Sequence, residues 1–206
     1  MRKEKIRLGP TVRSIVVTWI FLTLCAPLYS GEIKFMGGPA IGKYSASWMT
    51  NRFKTGYLFG IGTEFGSGRI SYGLDILYFL KTNDYVSRGW EYELREISLP
   101  AVVKMKLFPR RLPVFVLAGG EIAYILSHKQ NPGGIGGTWD ATEFTRKVDY
   151  GLVFGTGLEF EIGGGGWEIE GRYHHGLANT TKFVNDKGYQ FQTRELALVL
   201  GIKFKL

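Results

Sequence analysis

The C-terminal run Glu195-Leu196-Ala197-Leu198-Val199-Leu200-Gly201-Ile202-Lys203-Phe204-Lys205-Leu206 decides the fold. Leu196, Leu198, Leu200, Ile202, Phe204 and Leu206 fill alternate positions; Glu195, Ala197, Val199, Gly201, Lys203 and Lys205 lie between them. Successive side chains of a strand point to opposite faces, so a period of two gives one continuous apolar stripe and one small or charged face. A helix, with 3.6 residues per turn, would spread the same leucines around its circumference.

Working back toward the N-terminus, the same alternation recurs. Leu152, Phe154, Leu158, Phe160 and Ile162 oppose Gly151, Gly155, Gly157, Glu159 and Glu161. Ile70, Tyr72, Leu74, Ile76, Tyr78 and Leu80 oppose Ser71, Gly73 and Asp75, and Tyr57, Phe59, Ile61 and Phe65 oppose Gly60, Gly62 and Glu64. The remaining segments run roughly over 32–44, 93–107, 114–126 and 167–177, the first interrupted by Gly37-Gly38-Pro39. The pattern predicts eight strands of about ten residues, longer than the ~5–6 of an average soluble strand and matched to the ~9–11 that cross a bilayer at a tilt.

The connections alternate as well. Gly66-Ser67-Gly68, Pro109-Arg110-Arg111 and Gly163-Gly164-Gly165-Gly166 read as tight turns, and the polar stretches 45–54, 81–92, 127–148 and 178–193 as long ones. Short turns on one side and long loops on the other, with an even strand number, describe an outer-membrane barrel whose long loops face outside the cell. Lipid offers the backbone no hydrogen bonds, so the sheet must close on itself. Tyr57, Tyr78, Trp90, Tyr124, Trp167 and Tyr173 near strand ends suit the interfacial girdles. The fold class expected is therefore all-β, an eight-stranded antiparallel up-and-down transmembrane barrel over 31–206. Periodicity alone leaves a soluble, lipocalin-like barrel open, its apolar stripe turned inward around a ligand cup. The run of aliphatics ending the chain favours the membrane.

Residues 1–30 read as a secretory signal: Arg2, Lys3, Lys5, Arg7 and Arg13 precede an apolar run from Ile15 to Ala26, which Pro27 ends. That run is too short to span hydrocarbon as a helix. Of 206 residues with a net charge of +8, the segment after residue 30 keeps 21 basic and 17 acidic residues, or +4, and no cysteine. No nucleic-acid-binding stripe, disulfide framework or cysteine-based zinc site is implied.

Three strings carry a family resemblance. Glu93-Leu94-Arg95-Glu96-Ile97-Ser98-Leu99-Pro100 followed by Lys104, then Asp149-Tyr150-Gly151-Leu152-Val153-Phe154-Gly155-Thr156-Gly157, then Glu170-Gly171-Arg172-Tyr173-His174-His175-Gly176-Leu177, resemble strands of the PorT-like, porin-family outer-membrane barrels. The proline falls at Pro100, displaced from its place in the family's E-I-P-L run. The resemblance implies an outer-membrane barrel, and some relatives serve secretion machinery.

In an eight-stranded barrel the interior is just wide enough for side chains. Glu64, Asp75, Glu96, Lys104, Glu121, Glu159, Glu170, Arg172 and Lys203 are the expected lumen cluster, with Arg172, Lys104 and Lys203 pairing with carboxylates such as Glu96, Glu121, Glu159 and Glu170. The acids outnumber the bases. Catalysis has one candidate: Arg172, His175 and Asn179 resemble part of the motif of outer-membrane lipid A deacylases, but Leu177 stands where their serine nucleophile belongs. No catalytic residue, cofactor or metal is expected. Gly133-Gly134-Ile135-Gly136-Gly137, after Asn131-Pro132, reads as a pliant loop rather than a phosphate cradle. Among loop residues, Trp48, Trp90, Trp139, Arg146 and Lys147 are the interaction candidates, suited to lipopolysaccharide or an envelope or secretion protein. The functional expectation is a non-enzymatic outer-membrane protein with a structural, adhesive or secretion-accessory role. The alternatives are a narrow channel for ions or small solutes and a lipid A-modifying enzyme.

Overall fold

The computed structural model describes residues 14, 18–19, 31–45, 51–66, 68–85, 90–108, 112–132, 137–180 and 192–205. The strands are β1 (Gly31–Ser45), β2 (Asn51–Phe65), β3 (Ile70–Tyr85), β4 (Trp90–Phe108), β5 (Leu112–Pro132), β6 (Trp139–Asp140), β7 (Val148–Ile162), β8 (Gly165–Gly176) and β9 (Gln192–Lys205). Eight of them form the barrel wall. The two-residue β6 and a 3-10 turn at Thr142–Phe144 belong to a flap that folds back on β5.

Each wall strand pairs antiparallel with its neighbour in sequence, and β1 pairs with β9 from Glu32↔Lys205 to Ser45↔Gln192. That last pairing closes the sheet. Closure supplies every wall strand with two ladder partners, as hydrocarbon demands. Outward and inward positions then separate sharply. Leu196, Leu198 and Leu200 are 57%, 50% and 54% exposed, whereas Ala197 and Val199 are 1% exposed. The apolar stripe therefore points away from the barrel axis, and the soluble alternative falls. Phe35, Phe59, Tyr72, Val103, Ile122, Phe154 and Ile169 continue the stripe around the wall, a surface too apolar for water but suited to acyl chains.

The wall strands run from 12 residues in β8 to 21 in β5, well beyond the length needed to cross. Within two stretches read as long loops, 45–54 and 81–92, the described residues 45, 51–54, 81–85 and 90–92 are all strand. Their backbone ladders continue past the apolar band while polar residues take both faces, so the alternation that marks a half-buried strand disappears. Ion pairs between exposed side chains stand in for it: Lys54 on β2 meets Glu91 on β4 at 2.5 Å, and Arg95 meets Glu93, two positions back on the same strand, at 2.7 Å.

At the opposite end the turns are tight. Gly163 and Gly164 have φ of +63° and +82°, the two-residue loop that matches hairpin twist and whose left-handed backbone favours glycine. In the wall, a Cβ on Gly56 would stand 1.8 Å from the Leu80 carbonyl oxygen, and one on Gly119 2.0 Å from that of Ala101. Strong curvature brings neighbouring backbone so close that only glycine fits.

Pro100 leaves a notch. The β3–β4 pairing skips Asp75 and Ile76, which lie opposite Leu99 and Pro100 in register, because proline has no N–H to give the ladder. The carbonyl of Asp75 instead accepts a hydrogen bond from the indole Nε1 of Trp19 at 3.1 Å. Trp19 lies in the segment read as a leader, most of which falls outside the described residues. The Pro109-Arg110-Arg111 turn, Trp48 and most of the Gly133–Gly137 run also fall outside them.

Candidate functional site

The lumen is filled by two charged groups, one above the other, with apolar packing between and beside them. Strand alternation places their members, each contributed by a residue on the inward side of its pleat.

The lower group lies toward the tight turns. Lys104 on β4 reaches Glu168 at 2.5 Å, Glu159 at 2.6 Å and Glu64 at 3.2 Å. Lys203 on β9 reaches Glu64 at 2.6 Å, Glu159 at 3.0 Å and Glu168 at 3.1 Å. Two ammonium groups thus share three carboxylates. Ser71 donates to Glu64 at 2.6 Å, and the Phe115 ring covers Lys104 Nζ at 3.9 Å. Lys34 links this knot upward, 3.4 Å from Glu168 and 3.7 Å from Asp75. Asp75 pairs with Arg172 at 2.9 Å, and the same guanidinium makes a close pair with Glu170. With Lys106 held 2.9 Å from Glu159, five cations face five carboxylates, and Glu32 stands at the rim 3.9 Å from Lys203. The carboxylates of Glu64, Glu159 and Glu168 converge within 4.8 Å, as metal ligands do. Here Lys104 and Lys203 occupy the centre, so the cluster is an ion-pair knot with no place for a metal ion.

The upper group is different in composition. Lys81 on β3 lies 2.7 Å from Glu96 and 3.1 Å from Glu195. His174 Nδ1 lies 2.8 Å from Glu121, which also accepts from Ser98 at 2.6 Å. The His174 ring meets Phe79 edge-on at 5.0 Å. Asp149, nearer the outer end, accepts from Thr193 at 2.9 Å and from the Tyr150 amide. Tyr92, Leu94 and Ile125, with Trp90 against them, pack above.

The nine residues expected in the lumen lie in these two groups: Glu159 meets Lys104 and Lys203, Glu170 meets Arg172, and two other pairs differ from the expected ones. Glu96 meets Lys81, and Glu121 meets His174, rather than Arg172, Lys104 or Lys203. Lys34, Lys81, Lys106, Asp149, Glu168, His174 and Glu195 join them, outside the expected cluster. Lys81 had been read as the start of a loop, and Lys34 sits in the strand that Gly37-Gly38-Pro39 obscures. The deacylase-like residues do not converge: Arg172 is buried in the lumen, whereas His175 lies on the other face of β8, its Nδ1 3.1 Å from the Tyr173 hydroxyl.

Beyond the apolar band, the flap is tied down by its backbone. Ala141 donates to the His128 carbonyl at 2.8 Å, Ile125 to that of Lys147 at 2.8 Å, and Arg146 to that of Thr180 at 2.8 Å. His128 Nδ1 lies 2.7 Å from the Thr145 hydroxyl, and burial pushes its imidazole down to about 4. Thr142 bonds to Asp140 through its amide at 2.8 Å and holds that carboxyl below the usual range. Of the loop candidates, Trp139 is exposed and packs against Phe144 in a tilted ring pair with centroids 5.5 Å apart. Arg146 and Lys147 are exposed, and Trp90 is half-buried against Tyr92.

A closed antiparallel barrel with an apolar exterior and an ion-paired interior defines an integral membrane protein of the bacterial outer-membrane class. Residues 79–182, half of the chain, match the family described as "Outer membrane protein beta-barrel domain", and the protein belongs to that family. Neisserial surface protein A superposes with a TM-score of 0.50, at 14% identity over 84% of this chain and 97% of that one. Ail of Yersinia pestis, solved with the heparin analogue sucrose octasulfate, gives 0.48 at 13% identity over 84% and 99%. OprG from Pseudomonas aeruginosa gives 0.49 at 8% identity over 86% and 97%. At these identities the likeness concerns the fold alone. No curated protein matches the chain significantly.

Proposed function

We propose that this protein is a non-enzymatic envelope barrel whose lumen is a stopper and whose work is done on its outer surfaces: a structural, adhesive or secretion-accessory component. The observation behind this reading is the lower knot, where Lys104 and Lys203 bind carboxylates from β2, β7 and β8 across the lumen. A solute would have to break several buried ion pairs at once. The separation of Arg172 and His175 onto opposite faces, with Leu177 in the nucleophile position, supports a non-catalytic role. The PorT-like strings favour a secretion-accessory duty within that range. Exposed Trp139, Arg146 and Lys147 suit contact with lipopolysaccharide or an envelope protein, and residues 1–30 direct export.

Planar-bilayer recording of the purified barrel is the test. Silence at high protein load is expected; discrete conductance steps would overturn the stopper and favour the narrow channel. Lipid A mass spectrometry with and without the gene addresses the enzymatic alternative. An unchanged acyl pattern is expected, and loss of one acyl chain dependent on the gene would overturn the non-enzymatic reading.

A further inference from the structure

The lipid-facing wall ends, toward the long loops, in a row of basic side chains. On β9 the exposed apolar positions run from Phe204 up to Leu196, about 27 Å of strand at ~3.4 Å per residue. With a tilt of ~35–45° that stretch covers roughly 20 Å of bilayer, close to the ~25 Å apolar band of an outer-membrane barrel. The next outward position is Arg194, which therefore stands at the upper edge of the band, where acyl chains give way to the headgroups of the outer leaflet.

Antiparallel register sets Arg194 opposite His175 on β8 and opposite Lys43 on β1, and sets His175 opposite Leu152 on β7. One pleat below His175, Tyr173 faces the same way, and its hydroxyl lies 3.1 Å from His175 Nδ1. Three neighbouring strands thus bring a basic residue to one row. A single arginine at this height would lift its charge into water. This row holds no acid to answer it. Among the described residues, neither Arg194 nor His175 has an ion-pair partner, and Arg194 Nε, shut off from solvent, has no hydrogen-bond partner. Elsewhere at this end of the barrel, Arg95 is answered by Glu93 and Lys54 by Glu91.

We propose that this row seats a phosphate group of the phosphorylated glycolipid of the outer leaflet, with Arg194 and His175 as its ligands and exposed Leu152 and Leu196 beside its acyl chains. The planar N–H fork of a guanidinium matches phosphate oxygens in pairs. With the Tyr173 hydroxyl donating to Nδ1, the neutral imidazole keeps its proton on Nε2 and donates it to the same group. Height selects the source, because the long-loop end faces the outer leaflet. The row stands apart from the loop contacts proposed above: Trp139, Arg146 and Lys147 belong to the flap beyond the apolar band, whereas these residues are part of the wall.

Native mass spectrometry tests the assignment. The purified protein in phosphatidylcholine nanodiscs is exposed to bisphosphorylated lipid A, to its dephosphorylated form or to phosphatidylglycerol, and the retained lipid is counted. Lipid A should be retained at least ~tenfold better than either of the others, the scale of one charge-assisted hydrogen bond. Arg194→Gln with His175→Gln should abolish that preference. Arg95→Gln, which removes a cation that Glu93 already answers, should leave it intact. In 15N spectra, the Arg194 Nε resonance should shift with lipid A alone. Equal retention of phosphatidylglycerol would mean general attraction to anionic lipid, equal retention of the dephosphorylated form would mean acyl packing alone, and an equal loss in Arg95→Gln would mean diffuse charge; each overturns the proposal. Heat-modifiable migration reports whether each variant folds. Should the double variant fail to fold, the preference of the unaltered protein and the Arg194 Nε shift decide, and absence of either overturns the proposal.

Discussion

The two halves of the lumen are made of the same residue types and solve opposite problems. In the lower half, ammonium and guanidinium groups match carboxylates in number; Lys34, Lys104, Arg172 and Lys203 each touch two or more of them, and Lys106 touches one at the edge. In the upper half, one lysine serves two glutamates, and a histidine serves a third. Charge inside a narrow barrel is tolerated where it is compensated, so the lower half should behave as a structural element. The upper half has spare acidity and should respond to what enters it.

The sharpest way to break this contrast is to remove Arg172. Arg172→Met leaves Asp75 and Glu170 buried opposite a single lysine, and loss of one partner from a buried pair costs about 3–5 kcal/mol. Urea unfolding in lipid vesicles should show a drop of that order; a loss under ~1 kcal/mol would mean that water already shields the pair. Next comes Glu168→Gln, which takes one carboxylate from both Lys104 and Lys203. Because each lysine keeps two other acids, the expected loss is about 1–3 kcal/mol, the scale of one charged hydrogen bond.

The flap provides a third, titratable region. A histidine free in the unfolded chain binds a proton near pH 6.5, and the buried His128 does so only near 4. Between those values the open form holds more protons. The flap's full stability is therefore present above about pH 6.5 and declines as pH falls toward 4, by at most ~1.4 kcal/mol per unit. Hydrogen exchange at the Ala141 and Thr145 amides, corrected for intrinsic rate, should report this; protection independent of pH would place the opening elsewhere. The smallest effect belongs to the upper lumen. Glu195→Gln removes a charge whose one lysine is shared with Glu96, and stability should change by less than about 1 kcal/mol, in either direction. A loss as large as that of Arg172→Met would erase the distinction between the halves.

How much of this was legible in the sequence follows from where the hydrophobic contrast is strong. Within the bilayer, one face meets lipid and the other a crowded lumen, so β9 and β7 are written plainly in alternating leucines, phenylalanines and glycines. Above the bilayer both faces meet water, and the ladder is carried by backbone bonds that leave no mark on side-chain choice. That is why Glu91 reads as a loop residue, whereas Lys81 reads as one only because a lysine opening a polar stretch looks solvated, although it is buried in the lumen. Pairings across the lumen are less legible still. His174 and Glu121 are 53 positions apart, and Lys203 and Glu64 are 139 apart. Only closure brings them together, and the choice of Lys81 as partner for Glu96 depends on the register of β3 against β4. The notch at Pro100 was visible as a proline out of place, while the Asp75 carbonyl that it frees was not.

Everything rests on the apolar stripe facing lipid and the charged face turning inward. Nitroxide labels at successive positions 196 to 201 of β9, read for accessibility to dissolved oxygen and to a polar nickel chelate in vesicles, test this directly. Oxygen accessibility should oscillate with a period of two, with maxima at 196, 198 and 200 and low nickel accessibility there. Maxima at 197, 199 and 201, or high nickel accessibility along the leucine stripe, would contradict it.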